Sequence, residues 1–362
     1  MFKHFYVLDA FRGFAAIFVF LLHMPKLSWF TNNSFINNSE IFVDFFFVLS
    51  GFVIFHNYKQ KLTKVSDLKF FLKKRFKRLV PLHIYALFII LILELVKYLL
   101  YDSFPFTEKP FERNTIPSFF TQLFLLNATP LSLTELINWN GPSWSVSAEI
   151  IAYIVFAFST IYIKTKLKKK VFYPLLFIVV GYLFFFLKFS SFNVATYLKF
   201  EFIRGIIGFY FGVLTYQIWQ DVKHRLNKLS IIVFNFLELI TISILITLIN
   251  YATLLTKYFF IYHSAFSILL IVFTFEKGYI SSVLKLKVFQ KLGLWSYSIY
   301  LNHLLIVIVF TMLIQKAKVI DNTYIIIYEF LALLIVCFYS SQTYKYIEAK
   351  FYKTKKRVNP NS

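Results

Sequence analysis

Two residues near the start of this sequence combine types that move protons and hold anions. Arg12 and His23 stand eleven positions apart in LDAFRGFAAIFVFLLH (8–23). Eleven residues are about three helical turns, so both project from nearly the same face, roughly 16 Å apart along the axis. An imidazole there is suited to general-base removal of a hydroxyl proton. A guanidinium is suited to bidentate binding of phosphate or carboxylate. Asp9 and Gly13 flank Arg12 on the same stripe. The plainer alternative is an Arg12 paired with Asp9 and an interfacial His23 that is merely satisfied.

Other segments carry further candidates. In KKRFKRLVPLHIY (73–85), Arg75 and Arg78 are three apart and share one face if the segment is helical, which would make a phosphate clamp. The competing reading is an ordinary basic loop beside anionic lipid. In PSWSVSAEIIAYI (142–154), Pro142 suits a helix start and Glu149 lies about two turns in. A carboxylate there could orient His23 and raise its basicity, or pair with a buried cation such as Arg204. Trp144 and Ser143 are candidates to stabilise an oxyanion. VDFFFVLSGFVI (43–54) places Asp44 near a helix end and Ser50-Gly51 near mid-depth. Ser50 is more often a packing residue than a nucleophile in such a setting. EFIRGIIGFYFG (201–212) holds Arg204 with Glu201 one turn away, a structural pair. LGLWSYSIYLNH (292–303) places His303 on a face with Tyr300 and Ser296, where a packed, hydrogen-bonded histidine is the simpler expectation. Histidines show no HxH or HExxH spacing, so no metal is expected, and the single Cys337 lies within an apolar stretch, which disfavours thiol chemistry.

The elements that must hold these residues are set by composition. Of 362 residues, 59% are hydrophobic, 22% aromatic and only 15% charged. Soluble domains average about 45–50% apolar and about 25% charged. Disorder, collagen and coiled coil are excluded, and a soluble enzyme could not hide this much apolar surface. A window of about 20 apolar residues, the length of a helical crossing, gives ten spans. They fall near 8–25, 40–57, 79–100, 143–163, 171–189, 200–219, 230–249, 257–276, 294–315 and 324–344. The expected fold is therefore all-α, a polytopic bundle of about ten transmembrane helices, spanning 1–344 with a basic tail at 345–362.

The formal charge of +22 then asks whether the chain binds nucleic acid. Its distribution says otherwise. Of the 39 Lys and Arg residues, 28 fall on the side holding both termini, eight fall on the opposite side, and Arg12, Lys97 and Arg204 lie inside spans. That asymmetry predicts cytoplasmic termini and a multi-pass protein of the cell membrane, with lipids as neighbours and no nucleic-acid partner. The first apolar stretch carries Asp9 and Arg12 and lacks a small-residue cleavage site, so it reads as a retained helix. Charges inside spans cost roughly 2.5–3.5 kcal/mol each on insertion scales and ask for a functional reason.

Taken in series, these segments, together with TYKYIEAKF (343–351), resemble the integral-membrane acyltransferase-3 family, the O-acyltransferases of bacterial surface polysaccharides. The arginine–histidine spacing, SGF, RxxR and WSxSxE follow in family order along the whole chain. The resemblance implies that His23 is the base, that Arg12, Arg75 and Arg78 serve the acyl donor, and that Glu149 is the family's carboxylate. Phe11 replaces the usual leucine before Arg-Gly, and Ala349-Lys350 replace a common proline-containing ending; neither is a charged position of the motifs. The implied activity is transfer of an acyl group, most simply acetyl, from cytoplasmic acyl-CoA to a hydroxyl of a surface polysaccharide or lipid-linked saccharide. A brief acyl-enzyme on His23 or Ser50 is the ping-pong variant. A transporter or flippase of a polysaccharide intermediate is the second class, since buried charges also mark transport paths.

Overall fold

The computed structural model describes residues 4–102, 109–133, 137–162, 171–191, 198–255, 258–317 and 322–352. The basic loop at 164–170 and most of the basic tail, 353–362, lie outside the described residues. Among the described residues, ten helices of 14 residues or more match the ten expected spans in order: α1 (Tyr6–His23), α2 (Phe42–Tyr58), α3 (Val65–Leu99), α4 (Trp144–Tyr162), α5 (Phe172–Phe189), α6 (Glu201–Leu226), α7 (Ile231–Asn250), α8 (Phe260–Phe273), α9 (Lys287–Ala317) and α10 (Asn322–Thr343). The fold is an all-α polytopic bundle. Among the described residues, eight helical stretches are long and apolar enough to cross a bilayer on those grounds alone. The other two expected spans explain themselves: α8 has only 14 residues, and α6 buries Glu201, Arg204 and Gln217.

Local sequence sets the boundaries. Asp67 accepts the Thr63 and Lys64 amides and so starts α3 well before the expected span. The RxxR segment is thus the first part of a single 35-residue helix that tolerates Pro81 in its interior. A 3-10 turn at Gly141–Ser143, with Pro142 supplying a fixed φ, leads into α4. Ser230 caps α7 through the Val233 amide. The tenth helix does not stop near 344 but continues through a π-turn, Tyr344–Glu348, to Tyr352. Between α3 and α4 an apolar stretch forms one short helix, Ile116–Leu123, too short to cross. It is tied to the start of α4 by Ser143 donating to Gln122 and Ser147 donating to the Leu125 carbonyl.

Two close helix contacts hold the centre. In lipid there is little hydrophobic gain in bringing helices together, so small residues that let backbones approach supply the attraction. At Gly51 of α2, any Cβ would collide with the Phe209 carbonyl of α6. At Gly13 of α1, a Cβ would sit 2.7 Å from Leu292 Cβ and 2.8 Å from the Gly293 amide nitrogen of α9. The apolar core between them is aromatic: Phe45, Phe52, Phe156, Phe209, Tyr210 and Phe266 are all buried.

Candidate active site

The four helices that carry the sequence motifs, with α9, enclose a cavity of about 250 Å³. At the basic face it is walled by His4, His56 and Asn57; it then passes Asp9, Arg12 and Arg78 and reaches Ser50, Glu149, Ser145 and Tyr300 deeper in the bundle. Arg12 is held by Asp9 at 3.3 Å, and His4 Nε2 lies 2.9 Å from the other Asp9 oxygen. That carboxylate raises the His4 pKa above its usual value, against the opposing effect of partial burial.

Glu149 does not face His23. Its Oε1 accepts the Ser50 hydroxyl at 2.7 Å and also the Tyr153 hydroxyl from one turn further along α4; Ser50 Oγ and Tyr153 OH lie 3.0 Å apart. This corrects the expectation of a Glu149–His23 pair. The reason is depth: His23 ends α1 at the face opposite the basic loops, whereas Glu149 sits inside the cavity. Nor does Glu149 pair with Arg204.

The two arginines of RxxR also separate. Arg78 lines the cavity. Arg75 is buried, donates to the Tyr58 hydroxyl at 3.2 Å, and packs over the rings of Tyr58, Phe71 and Tyr153 at 5.3, 5.9 and 6.0 Å. Cation–π packing of this kind suits a guanidinium better than an ammonium. Arg75 therefore supports the cavity wall from behind, beside Tyr153.

At the other end of α1, His23 is exposed and its Nδ1 donates to the Val19 carbonyl at 2.8 Å. The ring of buried His303 lies 4.8 Å away, centroid to centroid. Tyr300 separates this pair from the cavity: it lines the cavity, stands 5.8 Å from the His303 ring and 5.7 Å from Phe46. Its hydroxyl is fixed by Ser145 at 2.9 Å and the Pro142 carbonyl at 3.2 Å.

Residues 5–341 match the acyltransferase-3 family, described as an acyltransferase domain. The chain belongs to that family. The acyltransferase is also similar to "Protein 2 in picA locus" of Rhizobium radiobacter, 33% identical over 162 residues, which cover 43% of this chain and 82% of that protein. No solved structure matches.

The remaining candidate residues of the acyltransferase form a second, separate cluster. Arg204, 1% exposed, makes a bidentate contact to Asp44, Nε to Oδ1 at 3.0 Å and Nη2 to Oδ2 at 2.7 Å. Glu201 and Glu40 lie 3.3 and 3.4 Å from its Nη1, and His263 Nε2 lies 3.3 Å from Asp44. The Glu201 partner was expected; Asp44 and His263 were not, because they come from α2 and α8. Trp144 packs over Arg204 at 5.2 Å and is absent from the cavity wall, so it stands with this ion cluster. The cluster locks α2, α6 and α8 beside the start of α4. Sequence reasoning missed His4, His56 and Tyr153 of the cavity wall; for Tyr153 the signal was present, since it follows Glu149 by four residues, one helical turn on the same face.

Proposed function

We propose that this membrane acyltransferase moves an acyl group, most simply acetyl, from cytoplasmic acyl-CoA to a hydroxyl of a surface polysaccharide or lipid-linked saccharide at the opposite face. One observation carries the reading. Helix α1 presents Arg12 in a cavity at the basic face and His23, exposed, at the far end of the same helix. Arg12 and Arg78 supply the positive charge that phosphates or a thioester arm would meet on entering, and the apolar wall of Leu8, Val43, Phe46 and Phe47 suits a thin acyl chain.

The chemistry follows from the histidine. A carbonyl oxygen can only accept, so the Val19 contact places the proton on His23 Nδ1 and leaves a lone pair on Nε2. That lone pair takes the proton of the attacking hydroxyl as the hydroxyl oxygen adds to the thioester carbon and the C–S bond breaks. General-base help of this kind is worth about 10²–10⁴ in rate. The acyl end has to pass Tyr300 to reach His23, which makes that side chain the boundary between donor and acceptor.

The direct experiment is incubation of membranes bearing the protein with radiolabelled acetyl-CoA. Label entering the glycan fraction, and lost in folded His23→Ala, is the expected result. Movement of saccharide across the membrane without label would replace this reading with a transporter.

A further inference from the structure

Two imidazoles meet at the end of α1, and the helices that bring them there leave little play. α1 and α9 pack backbone against backbone at Gly13 and Gly293. Ten residues further along each helix come His23 and His303, so both contacts share one register. The rings lie 4.8 Å apart, tilted by 51°.

Each ring's protonation pattern is set by a carbonyl. His23 Nδ1 contacts the Val19 oxygen at 2.8 Å, and His303 Nδ1 contacts the Tyr300 oxygen at 2.6 Å, so both Nδ1 atoms carry the proton. His303 is 0% exposed, and among the described residues its Nε2 has no hydrogen-bond partner. A proton on that atom would make a buried cation with an unsatisfied donor, so Nε2 is a bare lone pair. A buried acceptor with no donor is itself costly and calls for one. The ring beside it belongs to His23, which is exposed and able to receive a proton from outside.

We propose that His303 is the proton partner of His23: a positioning residue whose Nε2 accepts the hydrogen bond of the protonated His23 ring. This rests on the acyl-transfer reading above. The acceptor oxygen forms its bond to the acyl carbon, the C–S bond breaks, and the hydroxyl proton passes to His23 Nε2. His303 Nε2 holds that proton by a hydrogen bond until the departing thiolate sulfur takes it, and the step closes without a further reactant. Lys26 on the adjoining loop, whose Nζ contacts the Leu21 carbonyl at 3.3 Å, and Glu40 are the other charged groups acting on His23.

The test compares His303→Asn, which keeps a donor for the Tyr300 carbonyl but has no atom at the Nε2 position, with His303→Gln, which reaches that position. Membranes carrying the full chain are assayed with radiolabelled acetyl-CoA and their own glycan fraction. His303→Asn should lower kcat by about 10- to 100-fold, part of the general-base contribution, with KM for acetyl-CoA unchanged. The acid limb of its pH–rate profile should move to lower pH, because His23 loses an acceptor that favours its protonated form. His303→Gln should recover part of both. Unchanged kcat and an unchanged limb in His303→Asn overturn the proposal, as does an equal loss in both variants with the limb unmoved. A second measurement needs no variant and no activity: ¹⁵N NMR of histidine-labelled protein in nanodiscs. Coupled titration of the two rings, with Nε2 unprotonated at neutral pH, supports the pair; independent titration overturns it. A wild-type protein that transfers no label defeats the acyl-transfer reading alone, and the NMR result still decides the pairing.

Discussion

The Ser50 hydroxyl of α2 donates a hydrogen bond to Glu149 of α4 at 2.7 Å, and Tyr153 donates to the same carboxylate oxygen. The serine is therefore a ligand of the carboxylate inside the cavity, and the carboxylate is the hub that joins two helices there. Ser50→Ala should accordingly keep at least about one part in 150 of the transfer rate, since one hydrogen bond to a charged group is worth about 1.5–3 kcal/mol at most, a factor of roughly 12 to 150. Loss of all transfer in folded Ser50→Ala, read with labelled acetyl-CoA, would restore the serine as nucleophile. Glu149→Ala removes the hub and strands two hydroxyls, so it should lower both the melting temperature in detergent and the rate.

Arg78 and Arg75 should separate in kinetics as they do in space. Arg78→Ala takes a cation from the cavity wall and should raise KM for acetyl-CoA several-fold, with the effect shrinking at high salt. Arg75→Ala empties the space between Tyr58, Phe71 and Tyr153 and should lower the melting temperature. Equal KM effects from both, in folded proteins, would contradict the assignment.

The Asp44–Arg204 pair should behave as a buried salt bridge. Removing one partner strips a buried charge of its bidentate contact, a loss approaching the roughly 3–5 kcal/mol of other broken buried pairs, with Glu201 and Glu40 beside Arg204 and His263 beside Asp44 offsetting part of it. Asp44→Asn and Arg204→Met should each destabilise strongly, and the double variant should be less unstable than the sum of the two. A double-mutant cycle on detergent melting temperatures measures this, and strict additivity would show the pair to be uncoupled.

His4 and Asp9 give a pH signature at the basic face. His4 has its pKa raised in the folded protein by the Asp9 carboxylate, so its stabilising contribution is fully present below the unfolded value of about 6.5. The contribution fades as pH rises through the raised folded value. Wild type should therefore melt higher than His4→Asn below pH about 6.5, and the two should converge in alkaline buffer. A difference that grows with pH would reverse the assignment.

Much of this was legible in the sequence, for reasons specific to bilayers. Apolar runs of crossing length announce helices by themselves, which is why the ten expected spans have ten helical counterparts. Contacts within one helix were also readable: Arg12 with Asp9 and Arg204 with Glu201 are each three residues apart. Contacts between helices were not. Glu149 was expected to turn toward His23 as though both lay at one depth, yet it sits inside the cavity beside Ser50, and periodicity does not encode how far one helix is shifted along its neighbour. Asp44, Arg204 and His263 come from three helices spread over more than 200 residues of sequence, so no local pattern could join them. The division of Arg75 from Arg78 had the same cause, since a shared helical face is wide enough for one side chain to line a cavity and the other to be walled in by rings.

The contact of α1 with α9 at Gly13 has a mechanical consequence. Beside that contact the two helices hold Arg12, Ser296 and Tyr297 around the cavity; at their far ends they hold His23 and His303. A slip of α9 by one residue would rotate it by about 100° and shift it about 1.5 Å, misaligning both ends in a single movement. Under the acyl-transfer proposal, donor binding and proton transfer would thus sit at the two ends of one rigid beam. A substitution that shifts either helix at the glycine contact is therefore felt at both ends, and neither end can be adjusted by itself.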